Sequence, residues 1–481
     1  MIPGLFFLMD TATLALIGIV ILIAALLSGV VERTRFPQVA LFLLLGLALG
    51  PLGLGLVHFG LNSPVLETLA ILGLVLVLFT DAVGVNITEA RRYRTLIRVV
   101  LGPGTLLTAA LIAVAAWWLL GLAPGFAAIL GAALASTDPV MMRGLLRSAD
   151  VPTPARHVLA LESGLNDLVL LPIVLVAMAL LGGIREGEQW APAAIKLFIV
   201  GPATGVAIGF VGVAVLERVR RWMGVRRDYE SLYALGLAFT AYAAAEAVHG
   251  SGFLAAFAAG LTIAASDAEL CDCFLDLGQA AAEMFLLFTF VAFGSSLIWT
   301  GLEGVSWQSV AFAVVALFAR SAVLAATLPR KSLDPRSRRL IVWFGPRALS
   351  TLLLVLLPVF AGLPGAERLF APAALVVLLS IVVHGGALMV FGKRKAASGA
   401  EPAPLDSSRI GRTTERITLE ELKALQERGE HVILLDVRKE GAWNESDQKA
   451  RGAVRLPPDN AAQRAAELAL PRHDWLVAYC A

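Results

Sequence analysis

Thirteen apolar runs, most of them about twenty residues long, follow one another near 13–31, 38–58, 66–85, 99–120, 124–144, 157–181, 192–216, 231–248, 251–265, 280–299, 308–328, 340–360 and 370–391. A hydrocarbon core of about 30 Å takes roughly 20 apolar residues per helix. Backbone polar groups inside lipid must find partners within the segment, which helices provide. The succession therefore predicts an all-α polytopic membrane protein, whose runs are numbered here as spans 1 to 13. A chain that is 58% hydrophobic and 16% charged, with a mean hydropathy of +0.78, lies outside the soluble globular class.

Lys and Arg set the orientation. They number 22 in the segments after odd spans and 3 after even spans, namely Arg185, Lys196 and Arg368. By the positive-inside rule this predicts an odd number of spans, an outside N-terminus and a cytoplasmic C-terminus. No targeting segment is read, so a cell (inner or plasma) membrane is expected. The opening MIPGLFFLMD has no basic n-region and no A-x-A-like site, so span 1 is expected to be retained. A net charge of +2 gives no reason to expect a nucleic-acid partner. The three cysteines imply no disulfide framework. Cys271 and Cys273 read as a lone C-x-C in a short acidic loop, with no His or further Cys nearby to make a metal site.

Polar residues inside spans are costly and mark function. Span 5 carries Ser136, Thr137 and Asp138 directly before Pro139. Proline removes an N–H and pushes the preceding residue out of helical geometry, so the helix should open there, with backbone carbonyls free to face a cation. In span 6, Glu162 and Asn166 are four apart, as are Ser163 and Asp167, which puts all four on one side of a helix. Span 12 holds Arg347 beside its own Gly345-Pro346 interruption. A buried arginine needs a carboxylate, and Glu162 is the expected partner. Such a pair would be structural and would leave Asp167 to titrate.

Other polar groups read more blandly. Asp81 is expected at the membrane interface. Glu246 and Glu283 either line a funnel or meet a neighbour, Arg320 either snorkels or pairs with Glu283, and His384 reads as a packed neutral residue.

After residue 395 the composition changes. AASGAEPAPLDSS reads as a linker, giving a membrane domain at 10–395, a linker at 396–412 and a soluble segment at 413–481. Within the last, TLEELKALQERGE reads as an amphipathic helix with capping-box spacing from Thr418 to Glu421. HVILLDVR and DWLVAYC read as strands of a small α/β unit.

S-T-D-P on one span, E-S-x-x-N-D on the next and G-x-R near the end of the membrane domain resemble the cation/proton antiporters of the NhaP and NHE type. GSGFLAAFAAGL at 250–261 and VVHGG at 382–386 add to the likeness, which covers about residues 10–395. The resemblance implies thirteen spans in two inverted six-helix repeats with crossed interrupted helices, pairing span 5 with span 12. It implies exchange of Na⁺, or Li⁺ or K⁺, for H⁺, with Asp167 binding cation and proton in turn. Thr137, Asp138 and Ser163 would help coordinate, while Glu162, Arg347 and Asn166 would form the stabilising group. It also implies a homodimer and no cofactor. Arg347 is followed by Ala348 where the family usually has a second glycine.

A carboxylate in a partly dehydrated site needs a proton or a cation to offset its charge, so the two compete. With Asn166 where an electrogenic relative would have a second aspartate, one-for-one electroneutral exchange is expected. A proton-uncoupled channel of the same fold, and a membrane-tethered sulfurtransferase or sulfur sensor, are the competing readings. The second arises because ILLDVRKEGAW, ARGAVRLP and LVAYC resemble a rhodanese domain, with Cys480 at the sulfur-carrying position. The sequence stops one residue later, before the loop that would complete that site, so no sulfurtransferase activity is expected of this segment.

Overall fold

The computed structural model describes residues 37–85, 91–146, 151–182, 195–223, 227–266, 268–329 and 333–387, isolated positions before residue 27, and parts of 422–479. The chain divides into two compact units, Met1–Ala397 and Ser398–Ala481.

The first unit is helical. In order come α1 (Gln38–Leu49), α2 (Pro64–Val83), α3 (Arg94–Leu120), α4 (Pro124–Ala135), α5 (Pro139–Leu146), α6 (Thr153–Leu181) and α7 (Lys196–Met223). They are followed by α8 (Arg227–Ala247), α9 (Gly252–Ser266), α10 (Ala268–Ser295), α11 (Trp307–Thr327), α12 (Pro335–Trp343), α13 (Leu349–Phe360) and α14 (Ala366–Gly385). Among the described residues, seven stretches are long and apolar enough to cross a membrane, one of which runs across the α4–α5 break, and α1, α9 and α13 are shorter apolar helices. Span 1 falls almost entirely outside the described residues.

Three differences from the sequence reading have physical causes. The run at 38–58 is helical only to Leu49, because Gly50-Pro51 turns the chain. Cys271 and Cys273 lie on α10, not in a loop, since α9 and α10 are separated by residue 267 alone. Span 12 begins earlier than the apolar run does: Asp334 accepts the N–H of Ser337 at 2.9 Å and starts α12 at Pro335.

Small residues let helices meet closely. A Cβ on Gly46 of α1 would sit 2.3 Å from the carbonyl oxygen of Val291 on α10, and one on Gly294 would sit 2.3 Å from that of Leu43. Close backbone approach of this kind replaces the hydrophobic drive that lipid cannot supply. A second buried cluster, with Leu96, Met142, Leu145, Val158, Ile341 and Phe344, joins α5 and α12 to the starts of α3 and α6. It holds one half of each broken span at the same end of the bundle.

The second unit contains a parallel three-stranded sheet: β1 (Val432–Asp436), β2 (Val454–Arg455) and β3 (Trp475–Tyr479), in the order β2-β1-β3. The strand readings at 431–438 and 474–480 correspond to β1 and β3. Asp436, at the end of β1, accepts Arg438 Nε at 2.9 Å, Arg438 Nη2 at 2.6 Å and the Tyr479 hydroxyl at 2.7 Å. Arg438 above all, with Tyr479, holds the Asp436 carboxyl well below the usual carboxylate range. Within the expected amphipathic helix, Leu422, Lys423, Leu425 and Gln426 are helical, while its capping-box residues Thr418 and Glu421, and Cys480, lie outside the described residues.

Candidate functional site

Both proline-marked spans are broken. Helix α4 ends at Ala135 and α5 begins at Pro139, with Ser136 extended between them. Helix α12 ends at Trp343 and α13 begins at Leu349. The two breaks touch: the backbone N–H of Asp138 donates to Pro346 O at 3.0 Å.

Each broken end exposes backbone groups that need partners in a dry interior. Three buried side chains supply them. Asp138 Oδ1 accepts the N–H groups of Val140 (2.7 Å) and Met141 (3.3 Å), while its Oδ2 accepts that of Leu349 (2.7 Å). One carboxylate thus caps the N-terminal ends of α5 and α13. Arg347 Nη1 donates to Ala135 O (2.7 Å) and Ser136 O (2.6 Å), capping the C-terminal end of α4. Arg320 Nη1 donates to Ile341 O at 2.9 Å, capping the end of α12. Anion at N-termini and cations at C-termini also match the helix dipoles.

This arrangement corrects two expectations. Glu162 is paired with Arg320, not Arg347: its Oε1 accepts Arg320 Nε at 2.6 Å and its Oε2 accepts Arg320 Nη2 at 2.5 Å. Arg347 is turned to the α4 carbonyls instead, so it is a helix cap at the break. The carbonyls opened by Pro139 are likewise not left free. Arg347 takes those of Ala135 and Ser136, and Asn166 Nδ2 approaches Thr137 O at 3.3 Å.

Helix α6 presents the remaining site residues. Asp167 is 3% exposed, and its Oδ1 accepts the Ser136 hydroxyl at 2.7 Å. Asn166 Nδ2 donates to Thr137 Oγ1 at 2.7 Å, and its Oδ1 has no hydrogen-bond partner among the described residues. The Ser163 hydroxyl donates to Ala160 O at 3.2 Å. Asp167 with Ser136, and Asn166 with Thr137, join α6 to the α4–α5 break, and Ser163 lies one turn before Asp167 on α6, all in buried residues. Hard oxygen donors of this kind suit an alkali cation.

Arg320 gains its reach from Gly345. A Cβ there would lie 2.6 Å from Arg320 Cδ. The sequence reading had marked Gly345 only as part of a Gly-Pro interruption. It had offered Arg320 to Glu283, whose side chain lies outside the described residues. Asp81 lies on α2 with its Cβ near Gly164 of α6. Glu246 accepts the N–H of Gly252 at 2.8 Å and caps α9. Ser136 was legible as an oxygen side chain in the S-T-D-P run, but nothing in that run signalled its bond to Asp167. Among the described residues no cluster of His, Cys, Asp and Glu suited to a resident metal is present.

The family model described as sodium/hydrogen exchanger, transmembrane, matches residues 18–394. The chain belongs to that family. It is 28% identical over 402 residues to the K(+)/H(+) antiporter NhaP2 of Shewanella sp. (strain MR-4), covering 81% of this chain and 68% of the relative. It is 31% identical over 204 residues to the Na(+)/H(+) antiporter NhaS2 of Synechocystis sp. (strain ATCC 27184 / PCC 6803 / Kazusa), covering 42% and 36%. The fold is similar to that of the sodium proton antiporter MjNhaP1 from Methanocaldococcus jannaschii. That match has a TM-score of 0.64 at 19% identity and covers 79% of this chain and all of that one.

Proposed function

We propose that this chain exchanges a monovalent alkali cation for a proton across a membrane, and that Asp167 is the group both ions use. The observation that carries the reading is the position of Asp167: a buried carboxylate hydrogen-bonded to Ser136, the first residue of one helix break, beside the point where two breaks meet. An ionised carboxylate so enclosed needs a compensating positive charge. A cation held by Asp167, Ser136, Thr137, Ser163 and Asn166 provides it in one state, and a proton on Asp167 in the other. Asp138, expected among the coordinating residues, has both carboxylate oxygens engaged as the shared cap and so contributes negative charge and shape to the site. The Glu162–Arg320 pair and Arg347 hold the surrounding backbone.

If Asp167 alone changes its proton load, exchange is one cation for one proton and electroneutral. K⁺ and Na⁺ are the two cations to test, since the names of the similar proteins divide between them, K⁺ for NhaP2 and NhaP and Na⁺ for NhaS2 and MjNhaP1. The thirteen-span inverted-repeat architecture, outside N-terminus, cytoplasmic C-terminus, homodimer and membrane domain at 10–395 belong to the same proposal. So does a rhodanese-like segment at 413–481, joined by a linker at 396–412 and modulating transport. The Lys and Arg alternation supports the span count and orientation, and the parallel sheet supports the rhodanese-like reading.

Proteoliposomes carrying a pH dye test the function. An imposed K⁺ or Na⁺ gradient should move protons in the opposite direction, insensitive to collapse of the voltage and lost in Asp167→Asn. Cation flux without proton movement favours the channel reading.

A further inference from the structure

Ser380 and His384 stand four residues apart on α14, and the exchange reading above uses neither. Both are buried, Ser380 at 0% and His384 at 3% exposure. The backbone N–H of Arg347 donates to Ser380 Oγ at 2.7 Å, and Ser380 Oγ lies 3.1 Å from His384 Nδ1. A serine hydroxyl accepts through its lone pairs but has a single proton to give. With Arg347 N–H bound to it, Ser380 Oγ keeps a second hydrogen bond, the one it shares with His384 Nδ1.

The local helix geometry brings the ring there. Helix α14 passes into a π-turn at Ile381–Gly385, whose extra residue per turn rotates His384 relative to a regular helix. The ring also packs against Trp343, the last residue of α12, with centroids 6.3 Å apart. His384 therefore touches one end of the span 12 break directly and, through Ser380, holds a peptide N–H within it. The segment 344–348 is thus fixed by Asp138 at Leu349 N–H and by Ser380 at Arg347 N–H. Between those two anchors lies the arginine whose guanidinium closes α4.

We propose that His384 is a positioning residue for exchange. Through its hydrogen bond with Ser380 it keeps the Arg347 peptide oriented so that the guanidinium reaches the carbonyls of Ala135 and Ser136, which in turn fixes Ser136 against Asp167. The proposal rests on the exchange reading of Asp167. It separates His384 from a histidine that merely fills space, because a space-filler needs volume and not a hydrogen bond.

Three variants in proteoliposomes test it, each with its melting temperature in detergent. His384→Leu removes the hydrogen-bonding ring nitrogen, Ser380→Ala removes the relay, and His384→Gln returns an uncharged side chain that can hydrogen-bond. Losing one buried hydrogen bond that orients the site should lower the maximal exchange rate about tenfold in His384→Leu and Ser380→Ala. The cation KM should stay within about threefold, because neither residue is a ligand. His384→Gln should regain most of the rate. Should His384→Leu fail to fold, Ser380→Ala carries the same expectation. Wild-type rates in both His384→Leu and Ser380→Ala overturn the proposal, as does a His384→Gln no faster than His384→Leu. If Asp167→Asn is inactive while these variants are normal, only this inference fails. If Asp167→Asn still exchanges, the reading of the site fails and this inference with it.

Discussion

Asp138 accepts the backbone N–H of Leu349 through Oδ2 at 2.7 Å while its Oδ1 holds Val140 N–H at the same distance. One carboxylate therefore begins two half-helices from spans far apart in sequence, and the two breaks stand or fall together. The C-terminal helix ends at the breaks are capped by Arg347, for α4, and by Arg320, for α12.

Asp138→Asn tests this shared cap. An amide offers one acceptor oxygen where the carboxylate offers two, so one of the two helix ends loses its partner. Each lost cap is worth about 1 kcal/mol. A lower melting temperature in detergent is expected, together with reduced exchange. Equal stability and activity would mean that the two breaks are held by other contacts.

The Glu162–Arg320 pair gives a second test. Its members are 5% and 4% exposed, and removing either leaves a charge buried without its partner, a change that costs about 3 to 5 kcal/mol. Glu162→Gln and Arg320→Met should each be severely destabilising, and the double variant distinctly less so than their sum. Arg320→Lys should not rescue, because an ammonium cannot hold both Glu162 oxygens and the Ile341 carbonyl in the same fork geometry. Additive effects in a double-mutant cycle would refute the coupling.

Gly345→Ala tests the same pair from the other side. The added methyl meets the Arg320 side chain at 2.6 Å, and overpacking of this sort costs about 1 to 3 kcal/mol. Loss of stability should come with loss of exchange, and Gly345→Ala added to Arg320→Met should cost little more than Arg320→Met alone. A fully active, fully stable Gly345→Ala would show that Arg320 can adjust freely.

How much of this was legible in the sequence follows from what each signal depends on. Pro139 and Gly345-Pro346 act on their own backbone, so both helix breaks could be read locally. The one-sided placement of Glu162, Ser163, Asn166 and Asp167 follows from helical periodicity and was equally readable. Which arginine meets Glu162 was not, because Arg320 and Arg347 both lie more than a hundred residues away and only the packing of α11 and of the α12–α13 break around α6 decides between them. The fate of the carbonyls at 135–137 escaped for the same reason: their partners come from Arg347 and Asn166. The reading of 266–279 as a loop failed because its acidic residues suggested solvent, whereas helix α10 already begins at Ala268.

In the second unit, Asp436→Asn gives a pH-dependent prediction. The folded carboxyl lies below the ordinary value of about 3.9, so the folded state binds fewer protons there than the unfolded state. Its contribution is present above about pH 4 and fades as pH falls through the folded value. Hydrogen-exchange protection of β1 amides, corrected for intrinsic rates, should differ between wild type and Asp436→Asn at neutral pH and converge in acid. A difference that persists unchanged in acid would contradict this.

The most direct test of the central claim asks whether one group serves both ions. K⁺ or Na⁺ is titrated into weakly buffered purified protein in detergent, with proton release followed by a pH dye. A carboxylate that must lose its proton to take a cation gives an acidification that saturates with cation binding and vanishes in Asp167→Asn. Cation binding without proton release, or undiminished release in Asp167→Asn, would contradict the account.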